Sequence, residues 1–171
     1  RRLLDLGGGP GTYAIHFCRA NPGLTAVIYD RATTEPYAVK TVQQFGLEKR
    51  IEFAAGDFTV DPLTKGPYDV AWLSHILHGN GPDECQNIIN KTTAAMEPGG
   101  LIIIHDFILN NSKDAPEFPA LFALNMLVNN PNGRTYSEEE IDDMLRKAGV
   151  RNRAKHTFRG PNDSSIMYGF V

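Results

Sequence analysis

Four stretches of this chain carry groups able to do chemistry. The first is Asp5-Leu6-Gly7-Gly8-Gly9-Pro10-Gly11, with glycine at alternate positions 7, 9 and 11. Glycine there lets the backbone adopt positive φ and come close to a ligand. Between a first strand and a first helix, such a loop is where α/β proteins bind nucleosides. The same run reads Gly9-x-Gly11-x-x-Ala14 and so also satisfies a dinucleotide fingerprint. Taken alone, the loop leaves two ligands open, a dinucleotide or S-adenosylmethionine (SAM). The second stretch is Thr25-Ala26-Val27-Ile28-Tyr29-Asp30, whose acid falls about 20 residues past the loop, where a carboxylate accepts hydrogen bonds from ribose hydroxyls. The third is Gly56-Asp57-Phe58, an acid able to accept from an adenine amino group beside a ring able to pack on the base. The fourth is His78, just after the apolar run Tyr68 to Leu73. A neutral imidazole in hydrogen-bond reach can take the proton of a phenol-like hydroxyl, with reference pKa values of about 6.5 and about 10.

Alternating strand and helix patterns position these groups. Leu3, Leu4 and Leu6 form a first strand, and Thr12 to Ala20 reads as a helix stopped by Asn21-Pro22-Gly23. A second helix lies between Pro36 and Gly46, with Ala38, Val39, Val42 and Phe45 on its apolar face. Ile51 to Ala55 is a third strand, and Tyr68 to Leu73 a fourth that is apolar enough to be covered on both faces. Pro82 opens a third helix carrying Cys85, Ile88, Ile89 and Met96, which Pro98-Gly99-Gly100 ends before the strand Leu101 to Ile104. Phe118 to Val128 reads as a helix crowded with large apolar residues. Ser137 and Glu140 fit a capping box opening a helix that stops at Gly149. The tail, Arg153 to Phe158 and Ser165 to Val171, reads as an antiparallel hairpin, because Gly160-Pro161-Asn162-Asp163 is too short for a helical crossover. At 171 residues one domain is expected.

Five parallel strands, a final antiparallel hairpin and a single glycine loop differ from a dinucleotide domain of two similar halves. They predict an α/β, Rossmann-like class I SAM methyltransferase fold: a mostly parallel seven-stranded sheet with a C-terminal antiparallel hairpin. Within that class the chain resembles the catalytic domain of the caffeate- and hydroxyindole-type O-methyltransferases. The resemblance is carried by Leu4 to Gly11, Tyr29-Asp30, Gly56-Asp57-Phe58 and, above all, Ile76-Leu77-His78 followed by Asp83-Glu84-Cys85. Pro98-Gly99-Gly100, Asn130-Pro131-Asn132-Gly133-Arg134-Thr135 and the helix from Glu140 to Gly149 complete it.

The resemblance implies methyl transfer from SAM, leaving S-adenosylhomocysteine, to a hydroxyl of a small aromatic or polyketide-like molecule. It makes His78 the general base and Asp106, at the end of the fifth strand, its acidic partner. Gly7, Gly9, Gly11, Asp30, Asp57, Phe58 and Ser74 become the cofactor-binding set, Ser74 standing where some relatives have a lysine. Phe122, Met126 and Asn130 fall where the family builds its acceptor pocket. Two positions depart from the pattern. Gly79-Asn80 follows His78 where the family often has Asp-Trp, and Thr135 stands where plant members have a second acid. The family also implies a winged-helix-like dimerisation domain ahead of residues 1–171, and a homodimer in the full-length protein. A reaction of another kind on the same cofactor, and a SAM-binding protein without catalysis, are the alternatives.

Composition narrows the partners. A net charge of −3 without a basic run argues against nucleic acid. No apolar run is long enough for a bilayer and no signal peptide is evident, which predicts a cytoplasmic protein. Cys18 and Cys85 are expected as buried, reduced thiols. His75 and His105 raise the question of a metal. On adjoining strands they need not face the side of His78 or Asp106, so each is expected as a satisfied core histidine and no metal is predicted.

Overall fold

The computed structural model describes residues 1–156 and 161–171. Its strands are β1 (Arg2–Leu6), β2 (Thr25–Asp30), β3 (Ile51–Ala55), β4 (Tyr68–Ser74), β5 (Met96–Asp106), β6 (Arg151–His156) and β7 (Ser165–Phe170). Its helices are α1 (Thr12–Ala20), α2 (Glu35–Gln44), α3 (Pro82–Ala94), α4 (Glu117–Asn129) and α5 (Glu138–Lys147). The strands form one seven-stranded sheet among the described residues, in the order β3-β2-β1-β4-β5-β7-β6. β1 to β5 are parallel, whereas β7 runs antiparallel to both β5 and β6. The expected hairpin is therefore present. Its strand begins two residues early, at Arg151, and its predicted Phe158 and Gly160 lie outside the described residues.

Strand alternation divides the core. Leu4, Leu6, Val27, Tyr29, Leu73, Ile102 and Ile104 face α3 and α5, where Cys85, Ile88, Ile89, Ile141 and Leu145 are buried. Leu3, Ala26, Ile28 and Trp72 face α1 and α2, against Ala14, Ile15, Cys18, Ala38 and Val42. Cys18 and Cys85 are both buried and neither forms a disulfide.

Three sequence expectations are corrected. α3 stops at Ala94, and Met96 belongs to β5, where it pairs with Tyr68. Pro98-Gly99-Gly100 does not end the helix. It lies inside β5, where the pairing slips between Tyr68 and Val70 and Gly99 takes φ +81°. Val39 and Phe45 are exposed, because α2 lies over the β3 edge and buries only Ala38 and Val42. In α4, whose residues are apolar on every side, only Pro119 is buried and Leu121, Leu124, Leu127 and Val128 face outward.

Gly11 sits at the turn into α1 with φ +83°. A Cβ there would lie 2.4 Å from Ile28 Cδ1. Gly11→Ala is expected to lower stability by about 1–2 kcal/mol, chiefly through left-handed strain, since the end of Ile28 can turn aside. A urea-unfolding midpoint equal to that of the parent chain would refute this.

Candidate active site

Parallel strands deliver their C-terminal ends to one edge, and every group singled out above for the cofactor or for proton transfer lies along it. The glycine loop leaves β1 with Gly7 at φ +65°, its N–H donating to the Tyr29 carbonyl at 2.8 Å. A Cβ on Gly7 would strike Ile76 Cδ1 at 2.3 Å and approach the Phe58 ring at 3.3 Å. The missing side chain thus lets the loop pack against the segment that carries His78. Gly9 has φ +54° and nothing within 4 Å of a Cβ position, so backbone there faces open space.

Two acids tie this loop down. Asp30 Oδ2 accepts from Gly9 N at 2.8 Å, while Oδ1 accepts from Arg31 N at 2.7 Å and Thr34 Oγ1 at 3.3 Å. Asp5 was noted in the sequence but given no role. Its buried carboxyl lies under Gly8, where a Cβ would be 2.6 Å from Asp5 Cγ, and it accepts from Ala14 N in the first turn of α1 at 3.0 Å. Burial raises its pKa to about 7, against the lowering by the Ala14 amide, and the nearby Asp30 charge adds to the rise. The signal in the sequence was an acid inside an otherwise apolar strand.

Asp57 forms a local turn. Its Oδ1 accepts from Thr59 N at 2.9 Å and Thr59 Oγ1 at 2.6 Å, and Oδ2 lies 3.8 Å from the Arg31 guanidinium. The Thr59 hydroxyl and amide hold its pKa below the usual carboxylate range. Phe58 beside it is half-buried against the core. Ser74 bonds inward, its Oγ 2.8 Å from His105 Nδ1, and His105 Nε2 reaches Ser164 Oγ at 3.0 Å. Of the two histidines expected as satisfied core residues, His105 is one.

His78 lies in a single 3-10 turn, Leu77–Gly79, immediately after β4. Its Nδ1 is 2.7 Å from Asp106 Oδ1. Asp106 is 3% exposed. Burial would raise its pKa, but contacts with His75 and His78 and the Phe107 amide at 2.8 Å outweigh burial and hold it at about 2. An ionised carboxylate only accepts, so Nδ1 carries the proton of neutral His78 and Nε2 keeps a lone pair. Phe122 meets the His78 ring edge-on with centroids 5.0 Å apart, and Phe107 lies 4.6 Å from Phe122. Phe122 and Met126 are both half-buried on α4.

The expectation for His75 is corrected. Its Nδ1 lies 3.6 Å from the same Asp106 oxygen that His78 contacts. The cause is local: His75 has φ +57°, a left-handed backbone that breaks strand alternation.

The segment after α4 braces the His78 turn. Arg134 N donates to the His78 carbonyl at 2.9 Å. Asn130 Nδ2 donates to the Gly79 carbonyl at 2.9 Å and its Oδ1 accepts from Asn132 N at 3.1 Å, so its amide is engaged within the chain at both ends. Buried Tyr136 donates to the Asn80 carbonyl at 2.6 Å, a role sequence reasoning missed because tyrosine in a core carries no motif. Thr135 is buried too, its Oγ1 without a hydrogen-bond partner among the described residues. Tyr136→Phe is expected to lower stability by about 1 kcal/mol, because it leaves the Asn80 carbonyl with only the weak Cys85 Sγ–H donor at 3.6 Å. Thermal melts of the two chains side by side check it.

The strand order, the antiparallel β7 between β5 and β6, and the glycine loop after β1 together define the class I SAM-dependent methyltransferase fold. Comparison with known proteins narrows the class. Residues 1–151 match the family model described as an O-methyltransferase domain, and the chain belongs to that family, O-methyltransferase family 2. Among its relatives is 3-hydroxy-5-methyl-1-naphthoate 3-O-methyltransferase of Streptomyces sahachiroi, 33% identical over 169 residues, 99% of this chain and 48% of that protein. A family 2 O-methyltransferase from Planctomyces limnophilus, solved in complex with apigenin, superposes with a TM-score of 0.91 at 29% identity, covering 100% of this chain and 51% of that one. Human N-acetylserotonin methyltransferase in complex with SAM gives a TM-score of 0.84 at 27% identity, covering 99% and 47%. The chain spans about half the length of the relatives it matches. Among the described residues, no helix is long and apolar enough to cross a membrane.

Proposed function

We propose that residues 1–171 are the SAM-binding catalytic domain of an O-methyltransferase acting on a hydroxyl of a small aromatic or polyketide-like molecule. The observation that carries this reading is the 2.7 Å contact between His78 Nδ1 and Asp106 Oδ1, set at the strand edge beside a glycine loop in a member of this family. The naphthoate enzyme and the apigenin complex support the acceptor class. Dimerisation through a winged-helix-like domain belongs to the same proposal and rests on the family resemblance.

The residues present fit the cofactor. Open space over Gly9 leaves backbone accessible, and Asp30 beside it suits ribose hydroxyls. Gly7, Gly9 and Gly11 would hold the amino-acid end, Asp57 and Phe58 the adenine, and Ser74 would lie nearby. SAM supplies, when bound, a methyl group on a sulfonium centre whose leaving group is a neutral thioether. What remains for the chain is alignment and removal of one proton. Phe122 and Met126 would position the acceptor and exclude water from its ring, with Asn130 acting through the His78 turn that its amide braces. As the acceptor oxygen forms its new bond, its proton passes to His78 Nε2. The resulting imidazolium keeps its Nδ1–H on Asp106, which stays ionised throughout.

The test is incubation of the protein with methyl-labelled SAM and a panel of naphthols, flavones and hydroxyindoles. O-methylated product on at least one acceptor is expected. Cofactor binding without product across the panel, or label on carbon or nitrogen, would overturn the assignment.

A further inference from the structure

We propose that His75, His78 and Asp106 form a binding site for a divalent ion of the zinc class, and that filling it switches off His78. One ligand atom from each residue lies within 4.8 Å of the others. Nδ1 of His75 and Nδ1 of His78 lie 3.6 and 2.7 Å from the same oxygen, Asp106 Oδ1. Ligands of a tetrahedral zinc, bound at about 2.0–2.1 Å, sit roughly 3.4 Å from one another. Side-chain movements on the order of 1 Å bring the three groups to that spacing. Two imidazoles and one carboxylate form a donor set suited to such ions.

Two independent observations single out this cluster. Asp106 is buried, and among the described residues no lysine or arginine pairs with it; its ionic neighbours are the two histidines. His75 reaches it only by adopting φ +57°, a backbone conformation uncommon outside glycine. Its side chain is one-third exposed, which gives an ion in water a way in.

The consequence follows from proton counting. Neutral His78 has one ring proton, held on Nδ1 by Asp106. An ion on Nδ1 takes that nitrogen's lone pair, so the ring's single proton must sit on Nε2. The ring changes tautomer through solvent with no net proton released. Nε2–H then has no lone pair for an acceptor's proton. The ion is thus an inhibitor of the reaction proposed above, and this part rests on His78 being its base; the binding itself does not.

The test keeps the two apart. Cobalt(II) is titrated into the protein and followed by visible absorption, with zinc measured by calorimetry. One ion per chain is expected, with the intense visible bands of low-coordinate cobalt. His75→Asn should weaken binding by at least about 10-fold, and asparagine tolerates the left-handed backbone there. Asp106→Asn should do the same, should the first variant misfold. The double variant His16→Asn, His156→Asn removes two exposed surface histidines and should bind like the parent. Absence of cobalt bands, parent-like affinity in both site variants, or loss of binding in the surface variant would overturn the site. In the activity arm, zinc should slow methyl transfer reversibly, and His75→Asn should need at least about 10-fold more zinc for the same fractional inhibition. Binding without inhibition would overturn the tautomer switch. If no acceptor is methylated, the function fails while the cobalt and zinc titrations still decide the site.

Discussion

His78→Ala is expected to lower kcat by about 100- to 10,000-fold while leaving affinity for SAM near that of the parent chain. The separation between the two readouts is the point. His78 lies on a turn after β4, whereas the groups proposed for the cofactor, Ser74 at the end of β4 apart, lie on the loop after β1 and at the ends of β2 and β3. Losing the ring removes the acceptor for the proton but leaves Gly7, Gly9, Gly11 and Asp30 in place. Removing His78 also takes one partner from buried Asp106, so stability should fall by about 1–3 kcal/mol. His78→Gln retains a donor toward Asp106 and should recover part of that stability without recovering rate. Single-turnover rates and calorimetric SAM titrations on both variants measure the difference. Full activity in His78→Ala would remove His78 from the mechanism.

Asp106→Asn is expected to cost about 10- to 1,000-fold in kcat, the effect of removing one opposite charge beside the base, with the geometry of the site nearly intact. Asparagine keeps its oxygen toward His78 Nδ1 and the Phe107 amide, the two short contacts of Asp106 Oδ1, and gives up only the 3.4 Å contact between Oδ2 and His78 N. The tautomer is retained, but the imidazolium formed on proton transfer loses the negative charge that stabilises it, so the base is weakened although every ring atom stays where it was. Acid unfolding gives a second readout. The Asp106 pKa is held at about 2, below the ordinary 3.8. Its native contacts therefore contribute stability fully above about pH 4, and that contribution is lost as pH falls through 2. The variant should lack this part of the acid transition. An unchanged kcat, or an acid transition of the same shape, would refute the assigned role.

Much of the fold was legible because its signals are local. Pro82 starts α3, the Ser137 and Glu140 capping box starts α5, and apolar runs mark β4 and β5. In the structure Glu140 Oε2 accepts from Ser137 N at 2.8 Å, as that pattern requires. The errors arose where local signals compete with pairing. Pro98-Gly99-Gly100 reads as a terminator, but β4 and the chain end supply hydrogen-bond partners that carry β5 through it. Val39 and Phe45 fit a helical apolar face, yet whether that face is covered depends on where the sheet ends.

For the candidate site, the sequence by itself determined the residue types and their order: a glycine loop, acids after β2 and β3, a histidine after β4 and an acid after β5. Spacing along the chain follows strand and helix periods, so it fixes which groups reach the shared edge of a parallel sheet. Only the tertiary structure decided which of them meet. It joined His78 to Asp106 across 28 positions of sequence, drew His75 to the same oxygen, and placed Tyr136 and Asn130 as braces under the His78 turn. It also engaged Asp57 with Thr59, and gave Asp5 a task beneath the glycine loop. The reason is physical. A strand period says which side of the sheet a residue faces, but a hydrogen bond forms within about 3 Å. That distance depends on a single left-handed residue, a one-turn 3-10 helix and the packing of Gly7 on Ile76, none of which has a period to read.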